Sequence, residues 1–364
     1  MATTIVHAAD VHLETAFTDV RGGSRRRASL ADAFVRVVDL ALELRADALT
    51  IGGDLYEAGR AGPQTARFVF AQLARFGGPV FVAPGNHDPY SARALYARSD
   101  RPANLRVFAE PAWTAHTLND DVTLYGFGHA PAEPGRPFAG ARFDRGTVRL
   151  ALVHGSDEER CPPGKRATAP FTLGEIHAAG ASCVLSGHYH GGYTVGDESG
   201  PHLAYPGSPE PIKFGERGEH GALVVRVERG AIAIEAVPLA RTRLADVDVV
   251  LADADSEPAV LGAVERALEP YGRDDYLRVR LHGTVAPQTR VDRALIGDRY
   301  GDAVGALEVI DETVSADYAA LAREPNVRGR AIADLLAMAD AGKPGASAAL
   351  RAVVAAFAGA EPAP

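Results

Sequence analysis

Short apolar runs that stop abruptly at polar residues recur through the first half of the chain. Val80-Phe81-Val82-Ala83-Pro84 reads as a buried strand closing into Gly85-Asn86-His87-Asp88. Ile5-Val6-His7-Ala8-Ala9 leads in the same way to Asp10-Val11-His12, and Ala48-Leu49-Thr50-Ile51 leads to Gly52-Gly53-Asp54. Leu150 to Val153 runs into His154, and Ser182 to Ser186 runs into Gly187-His188-Tyr189-His190. Between these runs the period changes from two to 3.6. After a loop over Thr18–Ala28, Ser29 and Asp32 resemble a capping box, opening a helix with its stripe at Leu30, Phe34, Val37, Ala41 and Leu44. A second helix starts near Pro63 with a core stripe at Ala66, Val69, Phe70 and Leu73, and leaves Phe68 off it. Alternating strand, turn and helix predict an α/β layer architecture.

From Leu105 to Val237 strands dominate, interrupted by a helix near Leu173–Ala179. That pattern predicts a second sheet facing the first, with helices outside. Pro238 to Arg243 reads as a boundary. Beyond it, two helical and three strand patterns between Val247 and Ile310 predict a smaller second domain without a ligand cluster. The expected division is 1–240, 241–322 and a helical tail over 323–364. The tail carries two apolar stripes: Ile332, Leu335, Leu336 and Ala339, then Leu350, Val353, Val354 and Phe357. Gly342-Lys343-Pro344-Gly345 separates them as a linker would.

Composition narrows the classes. A length of 364 residues predicts two domains rather than one. No apolar run approaches the roughly 20 residues of a membrane helix. A strand almost at the N-terminus leaves no room for a signal peptide, so a cytoplasmic location with no membrane partner is expected. Two cysteines, Cys161 and Cys183, cannot build a disulfide framework or a zinc cluster. A net charge of −9 excludes a surface that is basic throughout, leaving nucleic acid to local positive patches. One such patch is Arg21, Arg25, Arg26 and Arg27, just after the first ligand pair. It is either a solvated loop or, as its position favours, a phosphate contact.

Amides, imidazoles and carboxylates released together at strand ends are poor core material and good ligands. Asp10, His12, Asp54, Asn86, His154, His188 and His190, delivered by five strand ends, describe a two-metal site. His7 falls out of phase with the ligands and reads as a satisfied core histidine. His129 ends a strand too, but the set is complete without it.

The motifs D-x-H, GD, GNHD, H and GHxH, in this order, resemble the calcineurin-like metallophosphoesterase family. The resemblance implies a four-layer αββα sandwich with a smaller α+β capping domain. It implies that Asp10, His12, Asp54 and His190 hold one metal, that Asp54, Asn86, His154 and His188 hold the other, and that Asp54 bridges. Mixed oxygen and imidazole ligands favour Mn2+, with Fe2+, Mg2+ or Zn2+ as alternatives. His87, beside a ligand but not one itself, is placed to protonate the leaving oxygen or stabilise the phosphorane, with Asp88 orienting it.

Within that superfamily, Ile5–Leu13, Ala169–His190, Ala204–Pro209 and Phe214–Leu223 resemble blocks of the SbcD-type DNA repair exonucleases, including the YhaO-like branch. Gly191-Gly192, where relatives often carry a basic residue, and the short tail depart from that group. The resemblance implies a DNA exonuclease, with endonuclease activity as a second capacity, working with an SbcC-like ATPase. No G-x-x-x-x-G-K-[ST] occurs here, so ATP use falls to another chain. It also implies a homodimer through helices near 63–76 and 91–98, with Phe68 and Leu95 as contacts, and tail helices over 325–358 that dock on the ATPase. Two other classes fit the metal site: a phosphodiesterase or phosphatase for a small nucleotide or other phosphoester, and a non-catalytic DNA-end-binding subunit. The second domain argues against the former and the intact ligand set against the latter.

Overall fold

A computed structural model describes residues 2–17, 23–131, 135–161, 167–216 and 218–359. Two compact units divide the chain between Thr242 and Arg243.

In the first unit, two six-stranded sheets face each other. One has the order β12-β11-β1-β2-β3-β4, built from β1 (Thr3–Ala8), β2 (Ala48–Ile51), β3 (Val80–Val82), β4 (Leu105–Val107), β11 (Gly221–Glu228) and β12 (Ala231–Pro238). The other has the order β5-β6-β7-β8-β10-β9, built from β5 (Thr114–Thr117), β6 (Val122–Gly126), β7 (Val148–His154), β8 (Cys183–Gly187), β9 (Tyr193–Asp197) and β10 (Gly200–Tyr205). Ile5, Phe81 and Val225 meet Leu150, Leu152 and Leu185 in the core between them. The alternate residues Val6, Leu49 and Val82 face α1 (Gly23–Glu43) and α2 (Pro63–Phe76) on the outside. On the far side Val153, Val184 and Leu203 pack with Ile176 of α3 (Leu173–Ala179). The layers are therefore αββα. Strands β1, β2 and β3 are parallel, as are β7 and β8, so each group delivers its polar C-terminal residues to one end.

Helix α1 starts at Gly23, earlier than the capping-box reading required. Ser29 lies in its second turn, where its hydroxyl donates to Glu210 at 2.7 Å. Arg25, Arg26 and Arg27 belong to this helix, not to a loop; Arg21 lies outside the described residues. His7 is buried and bonded to Thr50 (3.0 Å) and the Ser186 carbonyl (3.3 Å), and burial pushes its pKa down to about 4. It is the core histidine expected from phase. Phe68 leaves the α2 stripe to pack on the cluster containing Phe34, ring centroids 6.2 Å apart, and Leu95 is buried. Leu95 therefore offers little surface to a dimer contact, while Phe68 stays half-buried.

The second unit is a three-stranded parallel sheet, β13 (Leu244–Ala254), β14 (Tyr276–Val285) and β15 (Ala306–Ser315), connected through α4 (Glu257–Leu268) and α5 (Arg293–Tyr300). Val247, Val249, Leu251, Val279 and Leu281 alternate inward against Val260, Val264 and Ile296. The tail belongs to this unit: Ile332 of α6 (Val327–Asp340) and Leu350 and Val354 of α7 (Ala346–Phe357) close a small core with Ala316. Phe357, the last member of the predicted stripe, is 49% exposed. No helix of the described residues is long and apolar enough to cross a membrane.

Candidate metal centre

The seven predicted ligands gather where the parallel strands end. Asp10, His12 and His190 form one group whose ligand atoms lie within 4.8 Å of one another, and Asp10, Asp54 and His154 form a second. Asp54 Oδ2 stands 3.6 Å from His12 Nε2 and 3.3 Å from His154 Nε2, between the two groups. Asn86 Oδ1 is 3.0 Å from His154 Nε2, and the His188 ring packs edge-on to His154 at 5.2 Å.

Backbone geometry shows how tightly this corner is built. Asp10, His12, Asp54 and His188 all have left-handed φ, at 54°, 50°, 51° and 115°. Such conformations cost on the order of 1–3 kcal/mol each and persist where neighbours over-determine them. Here Asp10 N and His12 N donate to Gly53 O and Asp54 O at 3.0 and 2.9 Å, while both Asp10 oxygens accept from His188 N. Glycine at 85 is required by close approach, since a Cβ there would stand 2.2 Å from Asp54 Oδ1. Gly53 combines φ +85° with a Cβ position 2.8 Å from His154 Nδ1.

The electrostatics are those of carboxylates and imidazoles buried against one another. Burial pushes the Asp10 carboxyl upward despite the neighbouring imidazoles. Burial opposes charge on Asp54 too, yet His154 and His12 hold its carboxyl well below the ordinary range. Burial works against charge on His154, but Asp54, Asp10 and the Gly52 carbonyl raise it to about 9. His188, partly buried beside His154, falls to about 3 by desolvation and that neighbour's charge. The Nε2 of His12 is buried without a hydrogen-bond partner. An orphaned imidazole nitrogen facing two buried carboxylates fits a pair of divalent cations.

Two glutamates missed in the sequence hold these imidazoles from behind. Glu57 accepts from His12 Nδ1 at 2.8 Å through one oxygen and from His87 Nδ1 at 2.9 Å through the other. Burial opposes its charge, but the two histidine hydrogen bonds hold its pKa down to about 2; the same bond raises that of His87. Glu216 takes His190 Nδ1 at 2.5 Å. Carboxylates in this position fix the tautomer and aim Nε2 forward. Asp88 does not orient His87. It is fully buried and accepts from the backbone of Asp54, Leu55 and Gly85 and from Tyr96 Oη, so it clamps the ligand loops together. Arg26 is likewise no surface contact: its guanidinium is 0% exposed and donates to the Pro211 carbonyl and Ser29. His129 is buried behind His154, its Nε2 2.7 Å from the His154 carbonyl.

The family model of calcineurin-like phosphoesterases matches residues 3–192, more than half of the 364 residues. The chain belongs to this family. It is a metal-dependent phosphoesterase with a divalent metal pair as its cofactor, and the two ligand groups lie inside the matched region. Among curated relatives, the DNA double-strand break repair protein Mre11 of Aeropyrum pernix is 28% identical over 336 residues, covering 84% of this chain and 78% of that protein. Its namesake in Methanopyrus kandleri is 28% identical over 262 residues, covering 63% of this chain and 55% of that protein. A solved dimetal phosphatase from Danio rerio is 12% identical, with 64% of this chain and 95% of that chain covered at a TM-score of 0.40.

Proposed function

We propose that this phosphoesterase is a DNA nuclease, manganese-dependent and acting on phosphodiester bonds during repair or end processing. The observation that carries the reading is the reach of the likeness to a DNA-break repair protein. It covers 84% of the chain, more than the 242 residues of the first unit, and so extends into the second. A small-substrate enzyme would need no such unit.

In this reading Asp10, His12, Asp54 and His190 hold one cation, Asp54, Asn86, His154 and His188 the other, with Asp54 shared. When bound, the pair supplies Lewis acidity toward water and toward the phosphodiester. Glu57 keeps the Nδ1 proton of His87, leaving Nε2 to deliver a proton to the departing oxygen. His87 is partly exposed, so substrate can reach it. Arg25 and Arg27, at the start of α1, are the remaining phosphate contacts of the arginine patch, with Arg21. An SbcC-like ATPase is the proposed partner, docking on residues 325–358, where Val327 (82% exposed) and Phe357 present apolar surface. Removal of residues 343–364 then weakens that association. A homodimer through the segments near 63–76 and 91–98 completes the reading, with the half-buried Phe68 as a contact and Leu95 buried beneath.

The test uses manganese-loaded protein, an end-labelled linear duplex and bis(p-nitrophenyl) phosphate side by side. Shortening of the duplex, lost in His188→Ala, is expected. Turnover of the nitrophenyl ester with the duplex left intact would replace the reading by that of a small-molecule phosphodiesterase.

A further inference from the structure

The segment Pro206–Glu216 grips a candidate ligand at both of its ends. Ser208 N donates to the His190 carbonyl at 3.0 Å, and Glu216 holds His190 Nδ1. Gly207, at φ +73°, presses so closely that a Cβ would stand 2.7 Å from the His190 carbonyl. The other oxygen of Glu216 accepts from Ile212 N at 2.7 Å, so the segment is also closed on itself.

In its middle sits Glu210, a carboxylate with no solvent exposure. It accepts from Ser29 Oγ (2.7 Å), Arg36 Nη2 (3.0 Å), and the backbone amides of Arg241 and Thr242, each at 3.1 Å. The preceding amides, Leu239 N and Ala240 N, donate to the carbonyl of His220, whose ring stands 3.0 Å from Ser208 Oγ. Four consecutive amides, 239 to 242, therefore end on this one segment or on the histidine bonded to it. They are the last residues of the first unit before the chain passes into the second.

We infer that Glu210 is a positioning residue: it couples the exit of the catalytic unit to His190, so that tension on residues 241–242 loosens a metal ligand. A buried carboxylate with four directed donors has one well-defined seat, and losing it takes the acceptor from the Arg241 and Thr242 amides and leaves Arg36 only its bond to the Leu239 carbonyl. Because coupling is reciprocal, occupancy of the metal site must in turn stiffen residues 239–242. The inference rests on His190 being a ligand, as proposed above.

Amide hydrogen exchange of the full-length protein, followed with and without Mn2+, reads the coupling without any assay of turnover. Exchange of peptides covering 239–242 should slow several-fold on metal binding. Glu210→Gln should remove that response and weaken Mn2+ binding in calorimetry several-fold, less than the roughly tenfold or more of a group bonded directly to a ligand, because Glu210 reaches His190 only through Ser208 and Glu216. Val38→Ala, a core change in α1 at an equal loss of stability, should keep both the response and the affinity. Unaltered exchange at 239–242 while calorimetry shows the sites filling would overturn the coupling and leave the metal reading standing. So would Mn2+ affinity unchanged in Glu210→Gln, or equally reduced in Val38→Ala. No Mn2+ binding to the wild-type protein would instead overturn the metal reading, and the inference with it.

Discussion

The two units of this chain treat polar groups in opposite ways. In the second, strands alternate by the ordinary period of two: Leu277, Val279 and Leu281 face α4 and α5, while Arg278, Arg280 and His282 lie on the other face, each partly exposed. In the first, the strand ends carry buried Asp10, Asp54 and His154 together, on a backbone bent into left-handed conformations. The second unit is assembled from local preference and burial. The first is assembled around a cluster that local preference disfavours, and it holds that cluster with groups that have no other use, such as Asp88. The chemistry thus occupies the strained corner of a unit whose cores are otherwise ordinary.

Asp54→Ala should break this contrast most severely. It removes the carboxylate shared by both ligand groups, and turnover should fall about 10³-fold or more, on the order of 4 kcal/mol of transition-state stabilisation. Metal analysis should show lost occupancy; full activity with two ions still bound would exclude Asp54 as the shared ligand. His87→Ala sharpens it from within the same site. Its kcat should fall by about 10²–10⁴-fold, as for loss of a general acid, with both metals retained. Loss of metal in that variant would make His87 a ligand. Leu281→Ala tests the other half. The side chain is fully buried, so its loss should cost about 2–5 kcal/mol in the unfolding of the second unit. Mn2+ affinity of the first unit should stay unchanged, and a matching fall would show that the two halves are not energetically separate.

The division also explains what could be read from the chain beforehand. The cluster of candidate ligands was legible because each block is short, and a strand end is marked by the apolar run before it. Their supporting carboxylates were not. Glu57 reaches His12 across 45 positions and Glu216 reaches back 26 to His190, and a glutamate in a loop looks like any solvated charge. Ser29 misled for a related reason: three residues before Asp32 it mimics a helix start, yet its partner is Glu210, 181 positions away. Asp88 was placed in the right motif and given the wrong neighbour, because sequence adjacency to His87 says nothing about which way a carboxylate turns. Phe68 stands off its helical stripe and packs in part against Phe34, a contact that the helical period alone did not show.

The left-handed backbone at Asp10, His12, Asp54 and His188 sets this enzyme's folding and its usefulness against each other. At each of these positions glycine is the residue the backbone itself would choose. Variants selected only for yield or heat resistance should therefore drift toward glycine at these candidate ligands and become sturdier as they fall silent, so screening must keep a metal-binding or cleavage readout alongside thermal stability.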